Sequence, residues 1–267
     1  MLRGFYTTAS GMIAMQRKQE ALSNNIANAN TPGYKADQTA VRAFPEILLQ
    51  KVTARQTPVT SGFRPNISQP VGPIHTGVYV QEMVPNFSQG DLRETGLSTD
   101  LALVHTELPD ETGSLFFTVQ NEDGEERLTR NGNFTVDGDG FLVTNEGYYV
   151  LDTAGNPIQT DGLMFTVSEE GVLTADGGAY ELGIAYVPDA NGLEKEGNNL
   201  YNGDAEAPPA DAVYSVRQGY LEQANVDAMQ TMTEMMNTYR LFEVNQRALR
   251  AYDQSMEKTV NDVGRIG

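Results

Sequence analysis

The 267-residue sequence has no cysteine, no tryptophan and only two histidines. Without thiols there is no disulfide framework, no thiolate metal site and no cysteine nucleophile, so the fold rests on packing. His75 and His105 lie far apart with no His or Cys neighbour, so solvent-facing loop positions are expected for both in preference to a transition-metal site. No apolar run approaches the roughly 18 residues of a membrane span. The first thirty residues show neither a continuous apolar segment nor a small-residue cleavage site, so neither membrane insertion nor Sec export is expected. Basic residues are few, 18 against 36 acidic for a net charge of −18, which argues against nucleic acid or anionic lipid as a partner of the bulk surface.

Catalytic signatures are missing too. There is no G-x-S-x-G elbow, P-loop, G-x-G-x-x-G or H-E-x-x-H. Glu107 with Asp110 and Glu111, or Asp123 with Glu125, could in principle serve glycoside hydrolysis, but close acid pairs arise by chance among 36 carboxylates. A peptidoglycan-acting enzyme is therefore the rival reading from a different class. Asp137-Gly138-Asp139-Gly140 is similar to the start of a calcium loop, yet Phe141 and Tyr148 occupy later ligand positions, so hairpin turns are expected there. No cofactor, metal or small-molecule substrate is implied.

What is present is unevenly distributed. Residues 1–65 carry 8 basic and 3 acidic side chains, whereas residues 66–216 carry 4 and 26, a charge of −22. Such a distribution suggests ends that meet protein surfaces and a centre that stays in solvent by self-repulsion. For the dispersed N-terminal basic residues, contact with an acidic protein face is favoured over a nucleic-acid patch.

From Leu2 to about Asn28, Leu2, Phe5, Ala9, Met12, Met15, Leu22 and Ile26 fall mostly three or four apart, the spacing of a helical stripe. Pro32, which disfavours helical dihedrals at Thr31, predicts an end by about Ala29. Near the other terminus, Ala228, Met232, Met235, Tyr239, Phe242, Gln246, Leu249, Asp253, Met256, Val260 and Val263 alternate steps of four and three. No Gly or Pro intervenes between Tyr220 and Val263, so a long helix with a coiled-coil-like seam is expected. The seam needs a cover, either within one globular core or from another subunit.

Between the helices, turn signals recur at Asn131-Gly132, Asp137 to Gly140, Asn145 to Gly147 and Ala154 to Pro157. Short β-rich segments separate them, at 128–130, 134–136, 141–143 and 148–151, followed by 163–167, 172–174 and 182–187. That spacing predicts an antiparallel sandwich or barrel-like domain. Residues 52–75 and 198–209 read as extended connectors. The fold class expected is mainly β with α-helical termini. Its segments are an N-terminal helix and Asn-rich motif (1–35), an extended connector (36–85), a β-rich middle domain (86–210) inserted between the helices, and a C-terminal helix (211–267).

The stretch Ser23-Asn24-Asn25-Ile26-Ala27-Asn28-Ala29-Asn30-Thr31-Pro32-Gly33-Tyr34-Lys35 closely resembles the rod and hook family of the bacterial flagellum. Three further blocks fit that family in order: Phe87 to Gly96 with Asp100 to Leu103, then Thr129 to Phe134, then Arg217 to Val226. One departure is visible: Val104 to Ser114 intervenes before Leu115-Phe116-Phe117, so a longer, reshaped hairpin is expected there.

The resemblance implies a non-enzymatic subunit of the basal-body rod, exported by the flagellar type III apparatus, located outside the cytoplasmic membrane and polymerising through its terminal helices to transmit torque. Its implied partners are other rod and hook proteins and copies of itself. A hook or hook-junction component is the alternative inside the family. The assembly positions so implied are Leu2, Phe5, Met12, Ile26, Met232, Met235, Tyr239, Phe242, Leu249, Met256 and Val260. For the motif residues Asn24, Asn25, Asn28, Asn30, Thr31 and Gly33 a structural role is expected, with the amides capping the helix end and binding nearby backbone.

Overall fold

The computed structural model describes residues 2–54, 66–110, 112–160, 162, 164–175, 178–197 and 199–264. Pro58, Pro65 and Leu163, each part of a predicted segment, lie outside the described residues, as do the side chains of Leu2 and Val263. The chain divides into two compact units. One comprises residues 1–23, 39–83 and 232–267, and the other residues 24–38 and 84–231.

The first unit is built on two helices, α1 (Leu2–Ala27) and α2 (Ala228–Gly264). Both were legible from their stripes, and α1 ends at Ala27, close to the boundary set by Pro32. The start of α2 is later than the absence of Gly and Pro suggests. Tyr220–Glu222 is a strand, and Asp227 opens the helix, its Oδ1 accepting from the amides of Met229 and Gln230 at 2.9 Å. The stretch expected as connector carries paired strands: Ile47–Ala54 pairs with Asn66–Ile74, and Asp37–Ala43 with Val78–Pro85. The latter ribbon lies on α1, where Thr7 Oγ1 donates to Thr76 O at 3.1 Å and Ser10 Oγ accepts from Val78 N at 3.4 Å.

The second unit is antiparallel β throughout its described ladders, and its largest sheet is open, with no closed barrel. Its axis is the strand Ser114–Gln120, which pairs with Glu126–Thr129, Tyr149–Val150 and Ile184–Val187. Because side chains alternate between faces, this one strand feeds two cores. Leu115, Phe117 and Val119 pack with Leu103, Phe134 and Leu142, while Phe116 packs with Leu128, Val187 and Tyr201.

The hairpin expected across residues 104–114 is not formed. Leu101–Glu107 pairs instead with Val213–Gln218, more than a hundred residues on, so the inserted residues join two different sheets. The segment from residue 211 thus opens with two strands before α2 begins. The turn at Asp137 joins the antiparallel strands Phe134–Val136 and Leu142–Thr144 as the expected hairpin, and it is an Asx turn: Oδ1 accepts from Asp139 N and Phe141 N, and Gly140 adopts φ 86°. His105 is a correction. It sits in the strand Leu101–Glu107, half-buried, and burial followed by the charges of Arg130 and Lys35 pushes its pKa below the ordinary value.

Candidate assembly site

The two terminal helices run antiparallel in close contact, and glycine sets the distance. A Cβ at Gly4 would lie 2.5 Å from Tyr252 Oη, and one at Gly11 would lie 3.3 Å from Asn245 Nδ2. Seven residues further along α1, Lys18 Nζ faces Glu234 Oε2 at 3.9 Å. The heptad step from Gly4 to Gly11 on α1 is therefore matched by a heptad step in the opposite direction, from Tyr252 to Asn245, on α2, and the Lys18–Glu234 pair continues in that direction.

The shielded stripe of α2 runs through Thr231, Met235, Thr238, Phe242, Asn245, Leu249, Tyr252 and Met256. It too alternates four and three, but it shares only half of its positions with the predicted seam. Met235, Phe242, Leu249 and Met256 are partly covered. Met232, Tyr239 and Val260 are not: they are 52%, 50% and 70% exposed. Threonines fill the corresponding inward places because their hydroxyls are satisfied within the helix, Thr231 Oγ1 donating to Asp227 O at 2.6 Å and Thr238 Oγ1 to Glu234 O at 2.8 Å. On α1, Phe5, Met12 and Ile26 are half-buried, and the fully buried positions are Ala14, Ala21, Leu22 and Asn25. Sequence reasoning missed Gly4 and Gly11; their seven-residue spacing was the available signal.

The second group of candidate residues belongs to the β unit. Asn25 is buried, and its Oδ1 accepts from Asp37 N at 2.9 Å and Tyr34 Oη at 3.0 Å, while its Nδ2 donates to Asp37 O at 2.9 Å. Asn28 Nδ2 donates to Asn24 O at 3.0 Å and its Oδ1 accepts from Thr31 Oγ1 at 3.2 Å, closing the end of α1. Asn30 is exposed. Gly33 takes φ 69°, and a Cβ there would lie 2.5 Å from the Arg130 carbonyl carbon, so both conformation and space require glycine. Over the Tyr34 ring stands Lys195, 4.4 Å from the centroid and 3.1 Å from both oxygens of Asp37.

Beneath this motif lies a buried ionic triad that the sequence did not disclose. Glu222 Oε1 accepts from Lys35 Nζ at 2.7 Å and Gly90 N at 2.9 Å, and Oε2 accepts from Arg130 Nε at 2.5 Å. Lys35 also donates to Ser88 O at 2.8 Å, and Arg130 to Leu115 O at 2.5 Å and Leu103 O at 2.8 Å. All three side chains are 1–2% exposed. Burial, and then the Arg130 charge, pull the Lys35 pKa down to about 8 although Glu222 opposes the shift. For Glu222 burial acts upward, but Arg130, Lys35 and the Gly90 amide together hold the carboxyl below its ordinary range.

All members of this junction except Leu115 come from the four sequence blocks singled out above: Lys35 from the first, Ser88, Gly90 and Leu103 from the second, Arg130 from the third, and Glu222 from the fourth. Sequence blocks far apart in the chain meet at one buried charge cluster. Among the described residues no group of three or more His, Cys, Asp or Glu is placed to hold a metal ion.

Comparison with known proteins follows the same segmentation. The family model described as flagella basal body rod protein matches residues 5–35, the flagellar hook protein FlgE/F/G D1 domain matches 112–175, and the flagellar basal body rod FlgEFG protein C-terminal region matches 217–262. The chain is 42% identical to the flagellar hook-basal body complex protein FlhO of Bacillus subtilis, with all of both chains covered. It is 31% identical to the flagellar basal-body rod protein FlgG of the same organism, covering 98% of this chain and 99% of the relative. Against the flagellar basal-body rod protein FlgF of Caulobacter vibrioides it is 31% identical over 100% and 99% of the two chains. With four blocks meeting at one junction, paired terminal helices and full-length likeness at these identities, the chain belongs to the flagellar basal-body rod and hook family, a structural, non-enzymatic family of exported basal-body components.

Proposed function

We propose that the chain is a wall subunit of the flagellar rod, that it joins copies of itself and sister rod and hook proteins through the outward faces of α1 and α2, and that it transmits torque by the stiffness of that packing. The observation carrying this reading is the apolar stripe that the helix pair leaves uncovered. Met229, Met232, Met236 and Tyr239 follow one another at steps of three, four and three, and Met229 is 80% exposed. On α1, Tyr6 and Ile13 stand open one heptad apart. Each such side chain contributes about 1.5–3 kcal/mol when covered, and an apolar ridge of this length is a recognition surface. A head-to-tail contact between such faces does not close on itself, so it grows a filament.

The inward residues Met235 and Phe242 serve the helix pair and the outward ones serve the neighbour. The test is the double variant Met236→Asp/Tyr239→Asp. The purified variant is expected to melt at the wild-type temperature, to be missing from isolated basal bodies, and to leave cells non-swimming. Wild-type incorporation and swimming would overturn the proposal.

A further inference from the structure

We infer that Glu222 is a two-ended latch: it fastens the segment that follows α1 and the segment that precedes α2 to the β unit as one strap, so that the two open and close together.

The geometry supports this at three levels. Glu222 is the counterion of both Lys35 and Arg130, and the other acceptors of the two cations are the neutral carbonyls of Ser88, Leu103 and Leu115. Removing the anion leaves two buried cations without compensation, whereas removing Lys35 leaves a neutral pair. Next, the two segments hold each other. Gly33 N donates to Glu222 O at 2.8 Å, Ala36 N donates to Asn225 Oδ1 at 2.8 Å, and Asn225 N donates to Tyr34 O at 3.4 Å. Finally, both reach the same stretch of the β unit. Asn86 N donates to Ala36 O at 2.8 Å, Asn225 Nδ2 donates to Asn86 O at 2.7 Å, and Gln223 N donates to Asp91 O at 2.8 Å.

Neither segment therefore has a complete set of partners without the other. Two segments that share one charge and each other's backbone form a cooperative unit, and local opening occurs in such units. The last turn of α1 and the first turn of α2 belong to the β unit and adjoin these two segments, so loss of the latch frees both helix roots at once. The inference depends on the junction alone and not on which partners cover the helices.

Hydrogen exchange of the full-length chain tests it. In Glu222→Gln, protection in residues 24–38 and 220–227 is expected to fall together by tenfold or more, while the paired strands Val172–Ala175 and Gly178–Glu181 keep wild-type protection. Should that variant fail to fold, Lys35→Met supplies the readout, with a smaller loss of two- to tenfold that again matches in both segments. The triple variant Lys35→Met/Arg130→Met/Glu222→Met, which removes every charge, is expected to regain most of the protection. Loosening of one segment without the other, or an equal loss across the whole β unit, would sink the idea.

Discussion

Lys35 carries a depressed pKa inside a site that also holds Arg130, and this makes it a reporter of the junction. Its folded value is about 8 against an ordinary 10.5. Between those values the unfolded chain binds more protons than the folded one, so the contribution of this residue to stability rises with pH. Below pH 8 the ammonium is charged in both states and contributes no slope. Relative to Lys35→Met, the wild type is expected to gain up to about 3 kcal/mol between pH 8 and 10.5, since one pKa unit is about 1.4 kcal/mol. Urea denaturation of both proteins across that window measures it. A constant difference would show that Lys35 titrates normally. Glu222 gives a slope of the same sign in a lower window: its pKa is lowered too, so its contribution is present above the ordinary carboxylate value and is lost as the pH falls through its folded one. The ion triad itself was not legible in the sequence. Lys35, Arg130 and Glu222 were visible within their motifs, but charge pairing depends on which strands become neighbours. Leu101–Glu107 finding its partner at Val213–Gln218 is a non-local pairing that no local pattern encodes.

At the scale of the element, the helix pair shows why a correct period can still give a half-correct face. A four-three alternation fits two stripes on α2 that share Met235, Phe242, Leu249 and Met256, and hydrophobicity favours the one through Met232 and Tyr239. The fold uses the other, through Thr231, Thr238, Asn245 and Tyr252, because α1 offers glycine opposite the last two. Closeness of approach outweighs apolar content here, and the richer flank stays outside. The pattern of turns made the β segments legible, with Phe134–Val136, Leu142–Thr144 and Val172–Ala175 falling within a residue of their expected bounds. Sheet order was not legible, since turn chemistry fixes hairpins and not long-range neighbours. The glycine argument yields a prediction. Gly11→Leu forces side-chain volume against Asn245, which is expected to weaken helix pairing by about 1–3 kcal/mol, the usual cost of overpacking. Circular dichroism during heating is expected to show the helical signal melting earlier while near-ultraviolet tyrosine signals of the β unit keep their midpoint. Coincident loss of both signals, or an unchanged helix midpoint, would place the contact elsewhere.

For the whole molecule the deciding quantity is charge. A copy carries a net −18, concentrated in residues 66–216 where 4 basic residues face 26 acidic ones, while residues 1–65 carry 8 basic and 3 acidic. Two opposite expectations follow for copies stacking through the helix faces. If the basic N-terminal region of one copy sat on the acidic region of the next, added salt would weaken association. If contact is made by the Met229 to Tyr239 stripe, the apolar term is indifferent to moderate salt and the remaining electrostatic term is repulsion between like-charged β units. At 0.1 M salt the screening length is about 10 Å, shorter than the width of such a unit, so repulsion between neighbours fades as salt is added. The exposed stripe favours the second case. Light scattering of the purified protein is expected to show association strengthening severalfold as salt rises from about 0.02 to about 0.3 M, across which the screening length shrinks severalfold. The Met236→Asp/Tyr239→Asp variant is expected to stay dispersed at every salt concentration, because screening cannot supply the apolar surface it lacks. Association that weakens with salt in the wild type would move the contact from the methionine stripe to the N-terminal basic residues.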